Sequence, residues 1–151
     1  FRFVSMGHSF RCTEFEAALG LAQIEQIRPI MEARQGNARL LTEGLSDMED
    51  ILQLPTQPSG LRHVFMLYPI VLRNGDKRGL VNHLEDRGVE TRDIMPLINQ
   101  PVYRKLHGDL EPRYPVARWL NRSGFYLGCH QYLAKADIRY MVEQIRGYFG
   151  R

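Results

Sequence analysis

The chain has 151 residues, 44% of them hydrophobic and 25% charged, which excludes a disordered or fibrous protein and allows one core without disulfides or a structural metal. Its formal charge is +3, with arginines spread from Arg2 to Arg151 rather than gathered in a run, so composition gives no nucleic-acid footprint. Cys12 and Cys129 stand far apart without a CxxC, which points to a reducing cytoplasmic setting, and the longest apolar stretch, Val64 to Leu72, falls far short of the roughly 20 residues that span a membrane.

No signal peptide is visible, and a first residue of Phe1 rather than Met leads us to expect a sequence that begins upstream. Thr13-Glu14-Phe15-Glu16 fits a capping box, in which the Thr13 hydroxyl and the Glu16 carboxylate each satisfy a free backbone N–H. The alanine-rich segment 17–22 follows, and Ile24, Ile27, Met31, Ala38, Leu41 and Leu45 continue at helical spacing. The pattern predicts one long amphipathic helix from Thr13 to about Asp47, kinked at Pro29. Arg34 interrupts the stripe, with its stem expected along the stripe and its head in water. At roughly 50 Å such a helix is longer than a small domain needs, so it is expected to join two bodies.

Ile51–Leu54 reads as a strand stopped by Pro55, and His63–Leu72 as a strand closed by the Asn74-Gly75 turn, with Pro69 marking an edge or bulge. A helix is predicted over about Asp76–Arg87, burying Leu80, Val81 and Leu84 and stopped by Gly88. Val89–Ile94 reads as a strand with Glu90, Arg92 and Ile94 on one face. An irregular loop, Met95–Pro101, precedes short helices at Val102–Leu106 and Pro115–Asn121. Phe125–Cys129 is a short strand, and Asp137 opens the last helix. The fold class is α+β: a long N-terminal helix (residues 1–48 with its lead-in), then a small, mainly antiparallel sheet with helices packed on one face (residues 49–151).

Chemistry taken residue by residue assembles no complete active site. The five histidines are each at least twenty residues apart and form no local ligand pair, so no metal is expected. Cys129-His130 resembles a thiol and its base, but neighbours on a strand point to opposite faces, which leaves Cys129 as a core residue. Asp47, Glu49 and Asp50 read as a solvated helix end. Arg118 and Arg122 read as the exposed face of a short helix with Trp119 inward, and no nucleic-acid partner is expected.

Three separated segments carry a family resemblance. Gly7-His8-Ser9-Phe10-Arg11-Cys12-Thr13-Glu14, continuing to Gln23, resembles the G-Y-N-Y-R-M-x-E-x-Q-A-A-L-G-L-A-Q stretch of the DegT/StrS-like sugar aminotransferases, which are pyridoxal-phosphate enzymes of fold type I. Gly88-Val89-Glu90-Thr91-Arg92, leading through Pro96 to Asn99-Gln100-Pro101-Val102-Tyr103, is similar to the family's G-I-x-T-R … P-L-H-x-Q-P-A-Y. Tyr114-Pro115-Val116-Ala117, with Gly124 to Leu133, stands in the place of F-P-x-A … L-P-L-H-P-x-L.

The resemblance implies that Ser9 replaces an asparagine reaching the cofactor phosphate of the opposite subunit in a homodimer, with Arg11 adding charge there or merely flanking the helix. His8 and Phe10 stand at sugar-pocket tyrosine positions. Arg92 faces the cleft or makes a surface salt bridge, and His130 matches a late family histidine or packs at a strand end. Asn99 and Tyr103 fall in a loop one residue shorter than the family's, with Ile98 where its histidine stands. The family's Schiff-base lysine lies upstream of all three segments. Lys77, Lys105 and Lys135 match it in no case, and all three read as solvated.

The resemblance therefore implies the C-terminal part of an enzyme that moves an amino group from glutamate to a nucleotide-linked keto-sugar, inactive alone and binding no cofactor covalently. A dehydratase of the same family and a free-standing, non-catalytic binding or oligomerisation module are the alternatives.

Overall fold

The computed structural model describes Arg2 and residues 4–151; Phe1 and Phe3, at the start of the predicted lead-in, lie outside the described residues. Helix α1 (Glu14–Glu25) starts at the predicted capping box, with Thr13 Oγ1 accepting from the Glu16 N–H at 3.2 Å and Glu16 Oε2 accepting from the Thr13 N–H at 2.9 Å. The single long helix is in fact two. Helix α2 (Ile27–Leu45) begins after a break at Gln26, three residues before Pro29. The reason is local: a proline ring collides with the carbonyl four residues back, here Glu25, and removes the N–H that would bond to it. Breaking at Gln26 places Pro29 in the first turn of α2, where no such bond is needed.

The chain then passes through a 3₁₀ turn (Ser46–Met48) into β1 (Leu52–Gln53), β2 (Leu67–Leu72) and α3 (Lys77–Glu85). Strand β3 (Thr91–Asp93), a 3₁₀ turn (Leu97–Asn99), α4 (Pro101–His107), another 3₁₀ turn (Glu111–Arg113), α5 (Pro115–Ser123), β4 (Gly124–Gly128) and α6 (Lys135–Tyr148) complete it. The four strands form one antiparallel sheet in the order β1-β2-β4-β3. Helix α3 is capped by Asp76, whose Oδ1 accepts from the Arg78 N–H at 2.9 Å, and Gly88 ends the turn behind it at φ 75°, where a side chain would be strained. Helix α6 starts two residues before Asp137, which acts instead as its third residue and accepts from the Ala134 N–H at 2.8 Å.

Alternation along the strands sorts the sheet into two faces. Tyr68, Ile70 and Leu72 of β2 and Phe125 and Leu127 of β4 are buried against Leu41 and Leu45 of α2, Leu80 and Leu84 of α3, and Ile138 and Ile145 of α6. Each such fully buried side chain stabilises the fold by about 1.5–3 kcal/mol relative to exposure. Gly44 lets α2 and α6 approach closely: a Cβ there would lie 2.8 Å from both methyl groups of Val142. The opposite face carries Pro69, Tyr126 and Arg92.

The predicted strand His63–Leu72 loses its first four residues. Phe65 adopts φ 55°, and Arg34, half-buried rather than reaching water, donates through Nη1 to the carbonyls of Phe65 at 3.4 Å and Met66 at 3.1 Å. Those carbonyls are occupied by α2 and leave the ladder. Pro69 is interior by strand order yet at an edge locally. Arg73 donates to the Ile51 carbonyl and Gln53 pairs with Val71, so the same register sets Pro69 opposite Pro55, just past the end of β1. Neither proline has an N–H to give.

The stripe of α1 and α2 is buried over its second half only. Ala38, Leu41 and Leu45 are fully covered, whereas Ile24 is 63% and Ile27 49% exposed, and α1 contains no buried residue. Among the described residues no helix is long and apolar enough to cross a membrane.

Candidate functional site

His8, Ser9, Phe10 and Arg11 lie on an exposed segment without regular structure that runs into the Thr13 cap. The His8 and Phe10 rings are 5.8 Å apart and tilted, and Phe10 is 90% exposed. Among the described residues neither Ser9 nor Arg11 has a hydrogen-bonding partner. The whole segment is exposed, and it lines neither of the concavities around Arg92.

A second group is organised by the sheet. Arg92, on β3 opposite Tyr126, donates from Nε and Nη2 to Glu90 Oε1 at 3.1 and 2.8 Å. The hydrogen bonds it donates to this carboxylate, then the carboxylate's charge, hold the guanidinium pKa above its ordinary value. Two adjoining concavities share Gly88, Glu90, Arg92 and Tyr126. One, of about 660 Å³, extends over Thr91, Asp93 and Met95; the other, of about 370 Å³, reaches His130, Leu133 and Met141. The fold therefore brings Arg92 and His130, far apart in sequence, to one rim. His130 is exposed, its Nδ1 accepting from the Tyr132 N–H at 3.3 Å and its carbonyl from Asn37 Nδ2 at 2.9 Å. Cys129 points the other way into the core, where burial pushes its thiol up to about 11.

Asn99 and Tyr103 occupy the loop after β3 and helix α4. Asn99 is half-buried: Nδ2 donates to Asn121 Oδ1 at 2.8 Å, and its Oδ1 accepts from Gln100 Nε2 at 2.9 Å. Asn121 Nδ2 in turn donates to the Ile94 carbonyl at 3.2 Å. Tyr103 is also half-buried and stacks on His107 at 6.4 Å. Asn121 belongs to no motif of the sequence, and nothing local to it signals this role.

Lys77, expected in solvent, is not solvated. Its side chain is 17% exposed, and Nζ donates to the carbonyls of Asn121 at 2.9 Å and Gly124 at 3.1 Å while pairing with Asp93 Oδ1 at 2.7 Å. It closes the end of α5 and ties it to β3, because a cation there satisfies carbonyls left open at a helix C-terminus.

Two other surface groups are exposed as expected but carry ion pairs that the sequence does not show. Asp47 and Asp50 are exposed, and each is held by an arginine from the C-terminal end of the chain. Arg146 holds Asp47 at 2.6 and 2.9 Å, and Arg151 holds Asp50 at 3.1 and 2.7 Å, which keeps both carboxyls below their usual range. Arg118 and Arg122, together with Arg104, face Glu111, and Trp119 is half-buried behind them. Among the described residues, no group of three or more His, Cys, Asp or Glu side chains could hold a metal ion.

The family model of the DegT/DnrJ/EryC1/StrS aminotransferases matches residues 2–146. GDP-perosamine synthase of Escherichia coli O157:H7 is 25% identical over 146 residues, covering 95% of this chain and 38% of that protein. The dTDP-4-dehydro-2,6-dideoxy-D-glucose 3-dehydratase of Saccharopolyspora spinosa is 26% identical over 161 aligned positions, covering 100% and 34%. The putative sugar aminotransferase Spr1654 of Streptococcus pneumoniae, solved in its PLP-form, shares the fold with a TM-score of 0.81 at 18% identity, covering 90% of this chain and 35% of that one. The chain spans about a third to two fifths of the length of its curated relatives.

Proposed function

The chain belongs to the DegT/DnrJ/EryC1/StrS aminotransferase family, and from that premise we propose that it is the C-terminal part of a pyridoxal-phosphate-dependent enzyme that aminates a nucleotide-linked keto-sugar, inert without the part that bears the Schiff-base lysine. The observation that carries this reading is the family match over residues 2–146, which spans both the exposed N-terminal segment and the sheet. In this reading residues 1–48 connect two bodies and residues 49–151 are the small domain. The complete enzyme works in the cytoplasm as a homodimer with glutamate as amino donor.

The chain's own residues do not fit the cofactor by themselves. Ser9 and Arg11 are the donors matched to its phosphate, yet the described residues around them are all exposed, and a phosphate requires several converging donors. They complete a site built by other polypeptide, with Ser9 supplying one hydrogen bond and Arg11 a charge. When bound in the complete enzyme, the cofactor carries the amino group and acts as electron sink. His8 and Phe10 border the sugar, and Arg92 and His130 hold the rim of the concavity at β3, with Asn99 and Tyr103 beyond it.

No lysine here takes the cofactor's place of attachment. Lys77 Nζ is engaged by two carbonyls and a carboxylate, which occupy its N–H groups in a structural contact rather than presenting a free amine as nucleophile. Borohydride reduction of the chain mixed with pyridoxal phosphate, followed by peptide mass spectrometry, tests this. We expect no stoichiometric lysine adduct, and one adduct per chain at a single lysine overturns the proposal.

A second reading, dehydration rather than amination, is favoured by the similarity to the Saccharopolyspora dehydratase. The lysine position separates the two and lies outside these residues. Product analysis of the complete polypeptide with a nucleotide-linked keto-sugar discriminates them, since amination adds nitrogen to the sugar and dehydration removes oxygen.

A further inference from the structure

Three arginines from two helices meet on one carboxylate. Glu111 opens the 3₁₀ turn between α4 and α5, where Asp109 Oδ1 accepts from its backbone N–H at 3.1 Å. Its side chain is only 15% exposed. Arg104 Nη2, on α4, stands 3.3 Å from Oε1, while Arg118 Nε and Arg122 Nη2, on α5, both stand 3.5 Å from Oε2. Arg118 and Arg122 are one helical turn apart and so share a face of α5.

Two features of this cluster go beyond an ordinary surface ion pair. The charges do not balance: three guanidiniums face a single negative charge, and the whole chain carries a formal +3. The donors do not balance either. Only the Arg104 contact is a hydrogen bond to Glu111, and each guanidinium has several N–H groups in a rigid fork. The arginine side chains remain 49%, 44% and 60% exposed, and among the described residues their guanidiniums donate to no acceptor other than Glu111.

We propose that Arg104, Arg118 and Arg122 form a subsite for a phosphate-bearing anion, either a free phosphate or diphosphate or an esterified one. Glu111 is the internal carboxylate that holds the three side chains convergent and competes with the ligand for them. Guanidinium forks match the oxygen geometry of phosphate, and a group bearing two charges neutralises what Glu111 leaves over. Acetate-like monoanions duplicate what Glu111 already supplies and gain less.

The site makes an opposite prediction from a purely structural network at one position. Removing the Glu111 charge weakens a network that exists only to join α4 to α5, whereas it frees an anion site from its competitor. The test is a titration of the ¹⁵N-labelled chain with sodium pyrophosphate at constant ionic strength, following the arginine Nε–Hε signals, with sodium chloride as control. We expect saturable shifts at Arg104, Arg118 and Arg122. Glu111→Gln should tighten binding by about threefold or more, and Arg118→Gln with Arg122→Gln should weaken it by about tenfold or more, the loss of charge-assisted hydrogen bonds. Arg122→Gln alone, at the most exposed of the three, gives the same direction if the double variant does not fold. Parallel titrations with inorganic phosphate and a nucleoside diphosphate identify the source: equal affinity for pyrophosphate and nucleoside diphosphate marks a free anion, and tighter nucleoside diphosphate binding an ester. Shifts no larger than those from chloride, or Glu111→Gln binding pyrophosphate no more tightly than the parent, overturn the proposal.

Discussion

Gly44 offers a test in which the sign of the effect depends on geometry. Gly44→Ala on an ordinary exposed helix stabilises by about 0.8–1 kcal/mol, because glycine loses the most backbone freedom on folding. At this position the added Cβ would stand 2.8 Å from both Val142 methyl groups across the α2–α6 contact, closer than carbon atoms pack without something moving. Overpacking of that kind costs about 1–3 kcal/mol. The net expectation is a loss of about 1 kcal/mol, read as a lower urea midpoint with unchanged slope by far-ultraviolet circular dichroism. Val142→Ala alone should cost about 1–2 kcal/mol through lost burial and a partly collapsed cavity. In that background the clash is gone, and Gly44→Ala should become stabilising by about 0.5–1 kcal/mol. A Gly44→Ala chain at least as stable as the parent, or an equal effect in both backgrounds, would falsify the steric account of how α2 seats on the domain.

Asn121→Leu removes the bonds to Asn99 and the Ile94 carbonyl and should cost about 1–3 kcal/mol, with faster amide exchange across Leu97–Gln100; unchanged exchange there means the loop is held by something else. Native protein treated with a thiolate-selective reagent near neutral pH should gain one adduct, at exposed Cys12, because Cys129 is buried with its thiol raised to about 11; two adducts without denaturant refute that burial. The Asp47 carboxyl, depressed first by its hydrogen bonds from Arg146, contributes stability that is present above the unfolded value of about 3.9 and lost as pH falls through the lower folded value. Urea midpoints measured against pH should therefore show a shallower acid limb in Asp47→Asn than in the parent, and identical limbs would remove Asp47 from the account.

What the sequence disclosed and what it withheld divide by the range of the interactions involved. The Thr13–Glu16 cap, the helix start near Asp76 and the stop at Gly88 are encoded within a few residues, and each is where the pattern places it. The break at Gln26 also has a local cause in Pro29, but the pattern shows only that the helix is disturbed, not on which side of the proline. Lys77, Arg34 and Asp47 are illegible in sequence because their partners lie far away in the chain: Asn121 for Lys77, Phe65 for Arg34, Arg146 for Asp47. A charged residue with no neighbour in sequence reads as solvated until the fold brings one. The candidate site divides in the same way. Motif similarity names Arg92 and His130 separately, and only the β3–β4 pairing and the turn after β4 place them on one concavity. Asn121, which steadies the loop carrying Asn99, has no motif and no periodicity to mark it.

The facing of Pro55 and Pro69 bears on how the protein behaves in a crowded solution. A sheet whose outer strand pairs with only two residues of its neighbour leaves the remaining ladder positions of that neighbour unpaired, and unpaired strand edges are the usual template for aggregation. Here the first place such a strand would dock, past the end of β1, has no N–H to offer from Pro69, and the chain leaving β1 cannot extend the ladder itself because its own next donor is missing at Pro55. Two imino acids thus guard a gap that a longer β1 would have closed, and replacing Pro69 with valine would supply the absent donor and turn that stretch of β2 into a template for other chains.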